Sequence, residues 1–291
     1  MKLQALTALK AALPPAEGYA TPAQGCAATQ AAAVIQDEIS AVAEAEVAAT
    51  ETDSNPWAVA EDEERHHEAD DLVAAAERNH VLLAVGHVER FNRAMRAARS
   101  VLDRPAFIEG VRLAPFQPRG TDVAVVLDLM IHDLDLALHL VGGAPAVEVR
   151  ASGVSIVSSH LDIANARVEF AGGAVASVVS SRVARERVRR LRIFQPSGYI
   201  SLDLATGEAN FMRLRQGWRP GTASSLEEIV ETVALTAPEA DALELELAAF
   251  ITAVRGDPAE IVSAVEGRAA LALALEVTSA VQRVPVPVLG R

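Results

Sequence analysis

The alternation of apolar and polar positions changes character along the chain. From Glu68 onward it falls into clear elements. "HEADDLVAAAERN" has helical spacing, and "HVLLAVGH" reads as a buried strand bounded by polar residues. "RFNRAMRAARSVLDR" predicts an amphipathic helix stopped by Pro105, and "AFIEGVRLA" a strand. "TDVAVVLDLMIHDLDLALHLVGG" is helical in period and ends at Gly142-Gly143, a good helix stop. Two alternating runs around Gly172-Gly173 predict a hairpin. "RRLRIFQPSGYISLDL" predicts another, with Leu191 and Ile193 on one face and Arg190 and Arg192 on the other. The tail returns to helical patterns in "SLEEIVETV", "EADALELELAAFITAVRG" and "AVEGRAALALALEVTSAVQR". Strands followed by helices predict an α+β fold, a largely antiparallel sheet with helices on one face.

Residues 1–60 are different: rich in Ala, Thr, Glu and Gln, and poor in strand-like runs. "AATQAAAVIQDEISAVAEAEVAATE" fits loose helices or disorder, and "LPPAEG" and "SNPW" interrupt it. The first residues faintly resemble a signal peptide, but Gln4, Thr7 and Lys10 break the apolar run, so export is not expected.

Composition narrows the function classes. With 291 residues, 51% of them apolar, the chain has enough material for a sizeable core. A net charge of −13 argues against general binding of nucleic acid or an anionic membrane. No apolar stretch is long enough to predict a membrane span. The single cysteine, Cys26, allows no internal disulfide and fits a reducing cytoplasm.

Candidate chemistry concentrates in the oily segment 121–143. At about 100° per residue, Asp128, His132, Asp135 and His139 share one narrow stripe of a straight helix. Asp122 and Asp133 fall off it. Three readings are open. The stripe is simply the wet side of a helix; or His132 is a general acid/base, oriented by Asp128, whose charge would raise its pKa; or the two His and two Asp bind a divalent metal. A single straight helix converges poorly on one ion, which disfavours the metal. "VGHVERFN" places His87 and Arg90 directly after a predicted strand, where open sheets put ligands. The arginines 182, 185, 187, 189, 190 and 192 are either a solvated face or an anion site, for instance for a diphosphate. Arg119, in "PRGTD", is a weaker case of the same kind.

Several segments, taken in order, resemble the Gfo/Idh/MocA oxidoreductase family. They are "EADDLVAAAERNHVLLAVGHVERFN", "FIEGVRLAPFQPRGTDVAVVLDLMIHDLDLALHLVG", "DIANARVEF", "LRIFQPSGYISLD" and the "ELAAFITAVRG…VSAVEGRAALALALEV" tail. They are most similar to its nucleotide-sugar branch, the UDP-N-acetylglucosamine 3-dehydrogenase-like proteins associated with lipid A synthesis. The resemblance runs from about residue 66 to 285. It implies a Rossmann domain holding NAD or NADP, then a sheet domain that binds the sugar and builds homo-oligomers. Residues 66–90 would be the last helix and strand of the nucleotide-binding domain, and 91–291 the substrate and dimerisation domain. The family's Asp-x-x-x-His-x-x-Asp motif falls on Asp128, His132 and Asp135. By resemblance, His132 handles the sugar hydroxyl proton with Asp128 beside it. His87, Arg90, Asp135 and Arg119 would approach the sugar.

The chain departs from the family at its start. The Rossmann fingerprint G-x-G-x-x-G is absent: before Gly86 there are only Gly18 and Gly25. The family's Glu-Lys-Pro motif is replaced by "WAVAEDEERHH", with no lysine. Residues 1–65 therefore read as an incomplete Rossmann-like region, a remnant or frame-shifted segment joined to an intact C-terminal domain. The expected function is oxidation of a UDP-N-acetylhexosamine ring hydroxyl, with activity in question. The alternative is a non-catalytic sugar-binding or oligomerising module of the same descent.

Overall fold

The computed structural model describes residues 59–118, 120–219, 221 and 225–282. Two compact units divide the chain: 55–76 with 82–291, and 1–54 with 77–81. The larger unit carries the sheet and everything discussed below. The expectations for residues 1–58, among them the loose helices, lie outside the described residues, as does Arg119.

In chain order the elements are α1 (Val59–Arg78), a 3-10 turn (Val88–Phe91), α2 (Arg93–Ala98), β1 (Phe107–Pro115), a π-helical turn (Val126–Met130) and α3 (Ile131–Leu140). Next come β2 (Ala146–Val154), β3 (Ile163–Phe170), β4 (Val175–Ala184), β5 (Val188–Gln195), β6 (Gly198–Asp203) and β7 (Glu208–Leu214). Then α4 (Leu226–Ile229), β8 (Val230–Leu235), α5 (Ala242–Val254) and α6 (Ala264–Gln282) complete the unit.

The strands form one eight-stranded sheet in the order β2-β3-β4-β1-β5-β6-β7-β8. Among the described residues only β1 and β4 run parallel; every other neighbouring pair in the sheet is antiparallel. The α+β expectation, a largely antiparallel sheet with helices on one face, holds. Strand alternation buries Ile108, Ala164, Ala166, Val178, Leu191, Ile193 and Ile200 on the helix side, all fully inaccessible. Leu134, Leu136, Ala274 and Val277 of α3 and α6 close the core from above. Gly172 and Gly173 adopt φ of 98° and 88° in the hairpin, values that L side chains resist.

Three elements differ from the sequence reading. "HVLLAVGH" forms no strand; it makes a single bridge, Ala84 to Ser263. It has no second neighbour among the described residues to build a ladder. The predicted helix 90–104 is cut to α2 because Asn92 turns extended (φ −56°, ψ 138°) and caps the Ala94 amide. "SLEEIVETV" is helical only as far as Ile229. Its β-branched Val230, Thr232 and Val233 instead pair with β7 as an edge strand.

Two surfaces leave apolar side chains in water. On α5, Leu243, Leu247, Ile251 and Val254 share one exposed face. On the outer face of the sheet, Phe194 lies 4.7 Å from Tyr199 in a stacked pair and 5.9 Å from Phe107 edge-on.

Candidate active site

Two stretches meet above β1. One is the 3-10 turn that follows His87; the other is the π turn running into α3. The His87 and His132 rings are 5.7 Å apart between centroids and nearly perpendicular, at 87°. His87 is buried, 5% exposed, and His132 is half-buried with its Nδ1 enclosed and making no hydrogen bond.

The predicted stripe does not lie in one environment. The π turn widens the first turn of the segment and shifts its phase from that of a straight α-helix. Asp128 is exposed in that turn, next to Gly120, where a Cβ would come within 3.2 Å of Oδ2. Asp135 is buried, 1% exposed, and His139 is exposed. Arg90 donates to Asp135 through Nε (2.9 Å) and Nη2 (2.6 Å), and to Glu266 through Nη1. Two residues predicted to approach a sugar therefore hold each other, joining the 3-10 turn to α3 and α6. Among the described residues no group of three His, Cys, Asp or Glu is arranged to hold a metal ion.

The pKa of His132 runs against expectation. A neighbouring carboxylate was expected to raise it. Burial, then the Arg112 guanidinium, then His87 push it down to about 4, outweighing Glu89 and Asp135. The ring is proton-free at neutral pH. That is the form a base needs, though its basicity is lower than that of an ordinary histidine.

Arg112 was not singled out by sequence. It projects from the inner face of β1, 3% exposed, beneath the two histidines. Its Nε and Nη2 donate to Asp133 at 2.9 and 2.8 Å, and its Nη1 to Glu89 at 2.8 Å. Burial opposes the charged guanidinium, but Asp133 and then Glu89 outweigh it and raise its pKa. Burial pushes the Asp133 carboxyl up against the pull of Arg112. Asp133 had looked merely off the stripe. The only local hint was an arginine in the alternating run "FIEGVRLA", at a position whose neighbours point to the core.

The arginine run does not gather into one anion site. Arg182 is buried and donates to the carbonyls of Gly120 and Val123. Arg189, Arg190 and Arg192 lie within salt-bridge reach of Glu89, Asp203 and Glu109. Arg185 and Arg187 are exposed between β4 and β5. A shallow groove of about 520 Å³ lined by Phe107, Glu109, Ser177 and Phe194 lies on the opposite face of the sheet from His132.

A dinucleotide needs a glycine-rich turn between a strand and a helix. Among the described residues there is none, and the one parallel pair there, β1 with its sheet neighbour β4, is separated along the chain by β2 and β3 and makes no strand–helix–strand unit. The described residues therefore carry no dinucleotide-binding turn of their own.

A family model for the GFO/IDH/MocA C-terminal domain matches residues 96–201. UDP-N-acetylglucosamine 3-dehydrogenase of Acidithiobacillus ferrooxidans is 39% identical over 216 residues, 74% of this chain and 67% of the relative. A solved structure of UDP-N-acetylglucosamine 3-dehydrogenase GnnA from the same species has 38% identity and a TM-score of 0.68, over 75% of this chain and 68% of that one. An inositol dehydrogenase homolog from Azotobacter vinelandii, solved with NADH and myo-inositol, shares the fold at 17% identity and a TM-score of 0.61, over 75% of this chain and 67% of that one. The chain belongs to the Gfo/Idh/MocA oxidoreductase family.

Proposed function

We propose that the chain is a nucleotide-sugar oxidoreductase of this family, acting on a ring hydroxyl of a UDP-N-acetylhexosamine with NAD or NADP. The observation that carries the reading is His132, a proton-free imidazole facing His87, in a segment shared with the UDP-N-acetylglucosamine 3-dehydrogenase relative. When a secondary alcohol becomes a ketone, its hydroxyl proton must leave, and His132 takes it. His87 borders the reacting oxygen. Asp128, exposed in the π turn that leads into α3, is the second catalytic candidate. The Arg90–Asp135 pair frames the sugar side; Arg119 is a further candidate for the sugar on the resemblance of its segment alone. Residues 91–291 serve as the substrate and dimerisation domain, and 66–90 as the end of the nucleotide-binding domain. The protein works in the cytoplasm as a homo-oligomer, with no nucleic-acid or membrane partner.

The described residues account for the proton and not for the hydride. That favours a second reading, a sugar-binding or oligomerising module without turnover. NADH fluorescence titration of the full chain separates them. Micromolar binding supports the enzyme; no binding at millimolar NADH supports the module. For the enzyme, His132→Gln lowers kcat by about 10²–10⁴-fold while the KM for the UDP-sugar stays nearly unchanged.

A further inference from the structure

We propose that Arg112 is a positioning residue for the His87–His132 pair, clamping the turn that carries one ring to the helix that carries the other. Its guanidinium is a planar fork. Two nitrogens meet both oxygens of Asp133, and a third meets Glu89 Oε1 at 2.8 Å. Asp133 directly follows His132 in α3, and Glu89 lies two residues after His87. Each arm of the fork therefore ends within two residues of a ring. The backbone between is short and helical on both sides, so the fork transmits its geometry to both rings.

Two further observations agree. Gly110, two residues before Arg112 on the same face of β1, lies directly under Asp133 of α3. A Cβ there would lie 3.5 Å from Asp133 Cβ and 3.0 Å from Val178 Cγ1. The cluster also sits where apolar side chains would pack well, beside Ile108 and Leu191. Buried ion clusters contribute little net stability compared with apolar packing, so geometry is the more natural reason for this one. The charged and titratable groups around His132 are Arg112 from β1, His87 and Glu89 from the 3-10 turn and its entry, and Asp135 from its own helix. Burial and then the Arg112 charge lower the His132 pKa, so the clamp adds to what burial does in keeping the ring proton-free.

The clamp rests on the function proposed above only in taking His132 as the base; the ring geometry stands apart from turnover. The test is histidine-labelled NMR of the full chain, reading the ring-to-ring nuclear Overhauser effect between His87 and His132 and the His132 titration. Arg112→Lys keeps the charge and loses the fork. Glu89→Gln keeps the Arg112–Asp133 pair and weakens the arm to the turn. Arg213→Met, in an exposed pair with Glu231, is the control. Expected are a severalfold loss of the ring-to-ring signal in both clamp variants, a His132 pKa moved by about one unit in at least one of them, and no change in the control. Wild-type signal and titration in Glu89→Gln would overturn the proposal, and that variant decides alone if Arg112→Lys does not fold. If the clamp result holds while His132→Gln keeps full turnover, the functional reading fails and the clamp stands.

Discussion

At the scale of single residues, two groups with strongly displaced titrations pull stability in opposite directions. His132 has a folded pKa of about 4 against an ordinary 6.5, so the unfolded chain binds more protons between those values. Its contribution is present above about pH 6.5 and is lost as pH falls toward 4. Glu246 is pushed up to about 7 by burial and by Asp135, so its neutral form is favoured in the fold. That contribution is present at low pH and is lost as pH rises from 4.5 toward 7. Between pH 4.5 and 6.5 the two contributions offset each other. Chemical denaturation across pH 4–8 separates them. His132→Gln should remove up to about 3 kcal/mol of acid-side loss, and Glu246→Gln should gain stability relative to wild type above pH 7. An unchanged pH dependence in His132→Gln would contradict the burial argument. Of the site, His132, His87, Arg90 and Asp135 stood out in the sequence because each sits at a chemically conspicuous point of a local pattern; that Arg90 and Asp135 bond each other did not. Arg112, Glu89 and Asp133 were not. Their meaning lies in pairings 21 and 23 residues apart along the chain, which periodicity does not reveal.

At the scale of elements, the legible parts were those in which local pattern and packing agree. The Gly172-Gly173 hairpin, the β5–β6 alternation and the Gly142-Gly143 stop formed as expected, the last with the Gly143 amide donating to the Leu138 carbonyl at 2.8 Å. The π turn was not legible, because its apolar run fits an α-helix equally well. Nor was β8, whose Glu-rich start looks helical until an edge strand is available to pair with it. Close approach of elements gives two stability predictions. Gly267 on α6 sits against Val85, and a Cβ there would come within 2.2 Å of Cγ2. Gly267→Ala should cost about 1–3 kcal/mol by overpacking. Asp162 is fully buried and accepts from the amides of Ile156, Val157 and Ser158 and from the Ser158 hydroxyl. Those bonds hold its carboxyl below the usual range despite burial. Asp162→Ala leaves these donors unmatched and should cost about 2–4 kcal/mol by thermal or urea unfolding. A loss below half a kcal/mol in either variant would show that the loop or helix relaxes freely.

At the scale of the whole molecule, the sheet divides the labour. Its inner face carries the histidines, the ion cluster and the core; its outer face carries Phe107, Phe194 and Tyr199 in partial exposure. A homo-oligomer built on that outer face would cover the aromatics without touching His132. Light scattering should then show Phe194→Glu shifted toward monomer with the His132 resonances unmoved, whereas an unchanged mass would place the contact elsewhere. The central claim is that the His87–His132 cluster receives a nucleotide sugar. The most direct test is to titrate UDP-N-acetylglucosamine into the histidine-labelled chain and follow the ring resonances. A saturable shift of both His87 and His132, absent with UDP-free galactose, is the expected result. Resonances that stay in place at millimolar UDP-N-acetylglucosamine would contradict the assignment of this cluster as the sugar site.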